Sequence, residues 1–433
     1  MPSTLPQLLD AAWSRTGDTP LCVGFSGGRD SVALLHALAA VRRAGRALRA
    51  VHVNHALHPE SDRWAASCAQ QCARLDVPLE TFIVQVQARG EGIEAAAREA
   101  RYAALAETLR EGECLVTAHH REDQAETVLL KLLRGAGPHG LGGMREQRPL
   151  GRGLLWRPLL STPREQLHAY ARAQGLTGIN DPANDDTRYA RSYLRNDILP
   201  RLHAHWPEAG RALALAAALQ REQADFLDHH ATEALAELQR TEDGTLDAHG
   251  WVALHPALRN CVLESWLHTR SLPAPTGAQR HELERQIREA APDRVPRVAW
   301  PGAEVRVWRG RLHALQPQPE APEGWSALWH GDTVRLPDAS TLHWRGSLAD
   351  TPSAPTIRVS VNRRGLRIKP LGDRHTRALR DLFQRAGVPP WERTRCPILH
   401  DEHGTLLAVA DLWSTEAGAA LFRKHGMWPH WQR

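Results

Sequence analysis

Short apolar runs alternate with longer stretches of helical periodicity through roughly the first 205 positions. Residues 21–25 predict a strand, 31–41 a helix, 48–54 a strand and 61–75 a helix. The alternation continues with a strand at 79–84, a helix at 93–110, a strand at 114–117 and a helix at 123–134. Repeated strand–helix units of this kind predict a doubly wound parallel sheet, in which ligand sites lie beyond the carboxyl ends of the strands.

Beyond this region the pattern changes. An Ala/Leu-rich stretch at 207–238 predicts one long helix, and helical periodicity resumes near Pro256 and Gln279. Short apolar alternations follow at 304–308 and 333–336, with proline-rich pieces at 316–323 and 351–355 that read as linkers or domain edges. The final stretch mixes strands with one helix near 376–386. The predicted organisation is therefore α/β: a doubly wound parallel sheet over 1–205, a mainly helical middle over 206–350, and a small α+β module over 351–433.

Composition narrows the chemistry. Of 54 basic residues in 433 only three are lysines, Lys131, Lys369 and Lys424, and none follows a glycine-rich loop, which excludes a Walker-A nucleotide site. The six cysteines form no C-x-x-C pair, which argues against a disulfide framework or structural zinc and fits a reducing cytoplasm. The first residues carry no signal-peptide pattern and no run approaches a membrane span, so no membrane association is expected. Charge is uneven: residues 351–433 hold 14 basic and 7 acidic residues, a net +7, against −2 for the rest. A phosphate-rich partner such as RNA is the natural reading of that concentration; a solvated basic face is the plainer one.

The strongest chemical signal is Phe25-Ser26-Gly27-Gly28-Arg29-Asp30-Ser31, between a predicted buried strand and a helix. Two glycines let the backbone approach phosphate oxygens, Ser26 and Ser31 add hydroxyls, and the helix N-terminus adds amides and a favourable dipole. An Asp in such a loop suits a magnesium ion bridging phosphates. Asp123 and Glu126, three apart at the start of a predicted helix, share a face beside His119 and would attract an ammonium group or serve as its base. Complementing the helix dipole is the alternative account of those acids. His52, His55 and His58 invite a zinc site, and a metal-dependent phosphohydrolase follows from that, but no compact carboxylate set accompanies them. Glu94, Arg98 and Arg101 share a helical face, as a surface ion pair or as a phosphate contact. Most of the 15 tryptophans read as packing; Trp391, inside the basic module, is the candidate for base stacking.

The loop resembles that of the PP-loop, or N-type, ATP pyrophosphatases. Further segments recur in order: His52-Val53-Asn54-His55-Ala56-Leu57-His58 with Ser61-Asp62, Gly92-Ile93-Glu94 to Tyr102, Thr117-Ala118-His119-His120-Arg121-Glu122-Asp123-Gln124-Ala125-Glu126-Thr127, Arg134-Gly135 with Gly140-Leu141, and Asn180-Asp181-Pro182 to Pro200. The basic module adds Leu371-Gly372-Asp373-Arg374 and Val388-Pro389-Pro390-Trp391-Glu392-Arg393. Together they resemble the tRNA(Ile)-lysidine synthetase family, over most of the chain and least over 205–350.

That resemblance implies a Rossmann-like PP-loop catalytic domain and a ligase that forms a carbon–nitrogen bond. The expected reaction adenylates O2 of the wobble cytidine in a CAU-anticodon isoleucine tRNA and lets free L-lysine displace AMP. ATP would be held by Ser26, Gly27, Gly28, Arg29, Asp30, Ser31, His52 and Asn54, with magnesium at Asp30. His119, Asp123 and Glu126 would bind lysine and, with Asp30, form the catalytic set. Arg98, Arg101, Arg191, Arg195, Arg363, Arg364, Arg374, Arg377, Trp391 and Arg393 are the expected tRNA contacts. Related enzymes leave a homodimer open. Two departures stand out: His58 sits where an arginine is common, and Ser192 at a usual asparagine. The competing readings are a PP-loop tRNA thiolase, which needs reactive cysteines, and a non-catalytic tRNA-binding protein.

Overall fold

The computed structural model describes residues 4–432 except 18, 44–45, 57, 85–92, 292–293, 320, 323, 347–354 and 362–364. The chain divides into two compact units, Met1–Asp228 and His229–Arg433.

The first unit contains α1 (Leu5–Arg15), β1 (Leu21–Gly24), α2 (Arg29–Ala40), β2 (Leu48–Asn54), α3 (Ser61–Arg74), β3 (Leu79–Ile83), α4 (Ile93–Thr108), β4 (Cys114–Val116) and α5 (Arg121–Leu133). It continues with α6 (Pro138–Leu141), β5 (Gln147–Leu150), β6 (Gly153–Trp156), α7 (Arg164–Ala173), α8 (Ala190–Tyr193) and α9 (Leu199–His205), and the long helix α10 (Ala209–Leu238) begins in it and ends in the second unit. One π-helical turn, Leu194–Ile198, joins α8 to α9. The strand order is β3-β2-β1-β4-β6-β5, parallel throughout except for β5, which pairs antiparallel with β6. The chain's direction across the sheet reverses between β1 and β4, so the crevice beyond their carboxyl ends is the place where such a fold binds ligands.

Both faces of the sheet are covered, which is why its strands read as nearly continuous apolar runs. Leu21, Val23, Cys114 and Val116 point to the face packed with α1, α2 and α7, among Trp13, Leu34, Leu38 and Leu167. Cys22, Val51 and Leu115 point the other way, to Leu105 of α4, Leu109 just after it and Leu155 of β6. The amino ends of the strands are tied by charge. Buried Arg49 of β2 grips Glu113, just before β4, through Nε to Oε1 at 2.7 Å and Nη2 to Oε2 at 2.6 Å, and reaches Glu80 of β3 at 3.1 Å.

In the second unit, helices Ala248–Ala253, Pro256–His268 and Gly277–Glu289 accompany a four-stranded antiparallel sheet built around Ala303–Trp308 and Arg311–Leu315. A five-stranded sheet and a three-stranded sheet follow. The edge expected at 350 differs from what is seen: Ser326–Trp329 pairs with Ile357–Val361, and Thr341–Gly346 pairs with Met427–Gln432. The reason is that these short alternating segments cannot bury their apolar side alone, and Trp329 and Leu342 lie in the same core as Ile357, Phe383 and Trp431. The β5–β6 hairpin was also not anticipated from the chain's periodicity.

Replacing Glu113 by alanine strands the buried Arg49 charge and is expected to cost about 3–5 kcal/mol of stability in the first unit. Hydrogen exchange of β2 and β4 amides in the full chain, wild type against E113A, measures it.

Candidate active site

The crevice is lined first by the loop between β1 and α2. Gly27 takes φ +77°, and a Cβ there would lie 2.4 Å from Ile179 Cδ1 and 2.7 Å from Cys68 Sγ. The loop is clamped by the segment after α7, where the Ile179 amide donates to the Gly27 carbonyl at 2.9 Å. Gly178 backs directly on Arg29, since its Cβ would fall 2.4 Å from the Arg29 nitrogen. Inside the turn, the Gly28 amide donates to Ser26 Oγ at 3.3 Å, Ser31 Oγ donates to the Gly28 carbonyl at 2.8 Å, and the two hydroxyls are 3.1 Å apart. Arg29 is exposed.

His52 and Asn54, expected at ATP, are both engaged inside the protein. His52 is buried and donates Nδ1–H to the Phe25 carbonyl at 2.8 Å, propping the loop from below. Asn54 donates to Asp62 Oδ1 at 3.2 Å and accepts from the Ala56 amide at 2.8 Å, shaping the turn after β2, where Ala56 has φ +51°. His58 stacks on Trp64 with ring centres 4.7 Å apart. Among the described residues no three His, Cys, Asp or Glu side chains gather in a metal-ligating group.

Asp30, in the first turn of α2, accepts from His168 Nε2 at 3.0 Å and faces His120 Nε2 and Arg164 Nε, each 3.6 Å away. Burial opposes its ionisation, but the hydrogen bond and charge of His120, with Arg164 and His168, hold its pKa down at about 2. His120 is the joint of the site. It caps α5, is 1% exposed, and lies between three carboxylates: Asp30 and, at 3.4 Å, Asp123 face its Nε2, and Glu122 faces its Nδ1 at 3.3 Å. Burial would keep the ring neutral; hydrogen bonds to Asp30 and Glu122 and the nearby Asp123 charge win, raising its pKa to about 9. Charged, the ring turns Nδ1 to Glu122, and the cap of α5 rests on the His120 amide, which donates to Asp123 Oδ2 at 3.0 Å. Glu122 in turn accepts from the Arg164 amide at 2.8 Å, tying α5 to α7.

One turn along α5 lie the expected lysine residues. Glu126 is fully buried, and Arg195 from the π-helical turn holds it with two bonds, Nε to Oε1 at 2.7 Å and Nη2 to Oε2 at 3.0 Å. The same Nη2 reaches Asp123 Oδ1 at 3.0 Å. Burial pushes Glu126 up from the usual carboxylate range, and the hydrogen bonds and charge of Arg195 oppose it. Arg195, expected at RNA, thus spends its guanidinium on the acid pair, and Arg191 donates to Thr127 Oγ1 at 3.2 Å. His119 sits 2.7 Å from Thr117 Oγ1, and burial together with Arg157, Arg101 and Arg98 drives its pKa to about 3 against the pull of Asp123. It is neutral, so it does not repel a cation beside it.

Asp30, His119, Asp123 and Glu126 are thus drawn into one crevice, while His120, Glu122, Arg164 and His168 were missed. His120 lies in the same motif as His119, and Arg164 and His168 share a face of α7 by their i, i+4 spacing. Arg98 and Arg101 lie over the Tyr102 ring on α4, at 5.2 and 5.7 Å.

The remaining expected tRNA contacts belong to the second unit. Arg374 is exposed, Arg377 is paired with Asp373, and Arg393 Nε donates to the Val388 carbonyl at 2.8 Å. Trp391 is not free to stack a base: it is 6% exposed, with Arg306 over its ring and His313 and Trp308 against it. Packing between the Ala303–Leu315 hairpin and the Pro390–Arg393 turn has claimed it. Arg363 and Arg364 lie outside the described residues.

A doubly wound sheet, a glycine turn at its switch point and an aspartate in the first helical turn define a PP-loop ATP-binding protein, and residues 3–202 match the PP-loop domain family. Residues 246–313 match the TilS substrate binding domain and 357–431 the TilS substrate C-terminal domain. The chain is 44% identical over 401 residues to the tRNA(Ile)-lysidine synthase of Xanthomonas campestris pv. campestris (strain 8004), covering 92% of this chain and 91% of that one. It is 41% identical over 427 residues to the enzyme of that name from Alkalilimnicola ehrlichii, covering 95% and 93%, and 40% identical over 386 residues to that of Methylococcus capsulatus, covering 87% and 88%. The chain belongs to the tRNA(Ile)-lysidine synthase family.

Because the His120 pKa is raised from 6.5 to about 9, its stabilisation is complete below pH 6.5 and is lost as pH climbs through 9. In protein free of nucleotide, His120→Ala should lower stability by roughly 2–4 kcal/mol at pH 6, with the deficit shrinking toward pH 9. Urea unfolding of both proteins across that range checks the sign.

Proposed function

We propose that this chain joins free L-lysine to C2 of the wobble cytidine in the CAU-anticodon isoleucine tRNA, consuming ATP and releasing AMP and diphosphate. The observation that carries this reading is the union of two half-sites. An ATP loop ending in Asp30 and an acid pair, Asp123 and Glu126, are bridged by one buried imidazolium. ATP binding follows from the PP-loop domain; lysine and the target base come from the family's name and from the acid pair.

In the first step cytidine O2 attacks the α-phosphorus of ATP and diphosphate leaves. The loop amides, the Ser26 and Ser31 hydroxyls and the α2 N-terminus would hold the departing charge. Asp30 fits a magnesium ion shared with the phosphates: it is an ionised carboxylate, partly open to the crevice, and magnesium commonly takes one or two carboxylates plus phosphate oxygens. Magnesium there would neutralise phosphate charge.

In the second step the lysine amine attacks C2 and AMP departs with the former O2. Linking O2 to phosphate makes a poor leaving group into a feasible one. Asp123 and Glu126 would orient the ammonium form and accept its proton, with neutral His119 alongside. Arg195 bridges both carboxylates and would fix their spacing. The basic C-terminal module, 351–433 together with the strands at 326–346 that pair with it, would hold the tRNA through phosphates, in the cytoplasm, with 1–205 the catalytic part and the stretch between them the middle part. A thiolase is disfavoured: all six cysteines are buried, and burial pushes the thiols of Cys22, Cys68 and Cys114 up to about 12 and that of Cys72 to about 11.

Mass analysis of the tRNA nucleosides after incubation with ATP and labelled lysine should show a lysine-bearing cytidine; its absence overturns the reading. Asp30→Ala should abolish diphosphate release with tRNA affinity nearly unchanged. Glu126→Gln should raise the KM for lysine by about tenfold or more, measured by AMP release under saturating tRNA.

A further inference from the structure

Four guanidinium groups converge on Tyr102, and among the described residues no carboxylate balances them. Arg98 and Arg101 come from α4, while Arg148 and Arg157 come from the β5–β6 hairpin and the residue after it. The guanidinium carbons of Arg98, Arg148 and Arg101 lie 5.2, 5.5 and 5.7 Å from the centre of the Tyr102 ring. Arg157 is 4% exposed; its Nη1 donates to the Arg145 carbonyl at 2.7 Å and its buried Nε has no partner. Among the described residues none of the four forms an ion pair, whereas Arg49, Arg195, Arg259, Arg306 and Arg377 each hold a carboxylate.

Arginine does not escape such crowding by losing its proton. The ring face of Tyr102 attracts the cations but carries no net charge. Burial and mutual repulsion push both Arg101 and Arg157 down from the ordinary arginine value. The groups facing the cluster from β4 and β2 offer no counter-charge, because His119 and His55 are both kept neutral in part by Arg101. The missing partner is an anion, and planar forks set around one point match phosphate oxygens.

We propose that the β5–β6 hairpin completes a phosphate cradle, in which Arg148 and Arg157 join Arg98 and Arg101 around Tyr102 to hold a phosphate oxyanion beside His119. This rests on the ligase reading above and adds two residues to it. The phosphate belongs either to the nucleotide or to the RNA backbone next to the target base.

The test uses the full-length protein with Arg148→Gln and Arg148→Lys, the side chain of Arg148 being only partly buried. If the phosphate is RNA, R148Q weakens tRNA binding about tenfold and lowers the slope of log affinity against log salt by nearly one, with R148K keeping most of the slope. If it is the nucleotide, R148Q raises the KM for ATP about tenfold in AMP release while the tRNA salt slope stays put. Either result supports the cradle. Unchanged tRNA affinity, salt slope and ATP KM in R148Q overturns it. A wild-type protein that makes no lysine-bearing cytidine would sink the ligase reading instead, and the salt slope would still report on the cradle.

Discussion

A single buried cation between three carboxylates holds the active crevice together. His120 joins the N-terminal turn of α2, through Asp30, to that of α5, through Glu122 and Asp123. Without a positive charge there, three acids would face one another in a space with little water, and ionising all three would be prohibitively costly. With it, Asp30 stays charged for phosphate chemistry and Asp123 is fixed one helical turn from Glu126. The imidazolium thereby sets the separation of the two half-sites at the sheet's switch point, and α7 reinforces it through His168 and the Arg164 amide.

Charge in this crevice is partitioned. The acids gather on the α2–α5 side, beside His120 and Arg195, while arginines that have no carboxylate among the described residues gather on the α4 and hairpin side. Between them stands His119, neutral because burial and the arginines together outweigh Asp123. The crevice thus offers negative charge on one side and positive charge on the other, with a neutral ring between them. Arg195 belongs to the first set although its place in the chain suggested the second; the π-helical turn that carries it turns the side chain onto Glu126.

Much of the first unit could be read from periodicity because a sheet covered on both faces needs continuous apolar strands, and its crossover helices need one apolar stripe each. The strand over 48–54 and the starts of α3 and α4 coincide with expectation. The hairpin of β5 and β6 escaped notice: it is short, interrupted by Pro149 and Gly151, and its pairing is a tertiary matter. The strands at 326–346 were hidden for the same reason, since they acquire meaning only beside partners far along the chain. Trp391 was misjudged because aromatic and basic composition cannot tell a stacking platform from a packed ring.

By itself the chain's sequence determined the fold class, the glycine loop and which carboxylates sit at the helix starts that meet in the crevice. Those depend on local periodicity, on glycine's freedom at φ +77° in the turn, and on residues within a few positions of one another. Only the tertiary structure decided which charges meet. His120 and His168 reach Asp30 from other segments, Arg195 reaches Glu126 from 69 residues away, and the hairpin brings Arg148 to Tyr102. Electrostatic partnership depends on distance in space and on how much water is excluded, and neither quantity is written in the order of residues.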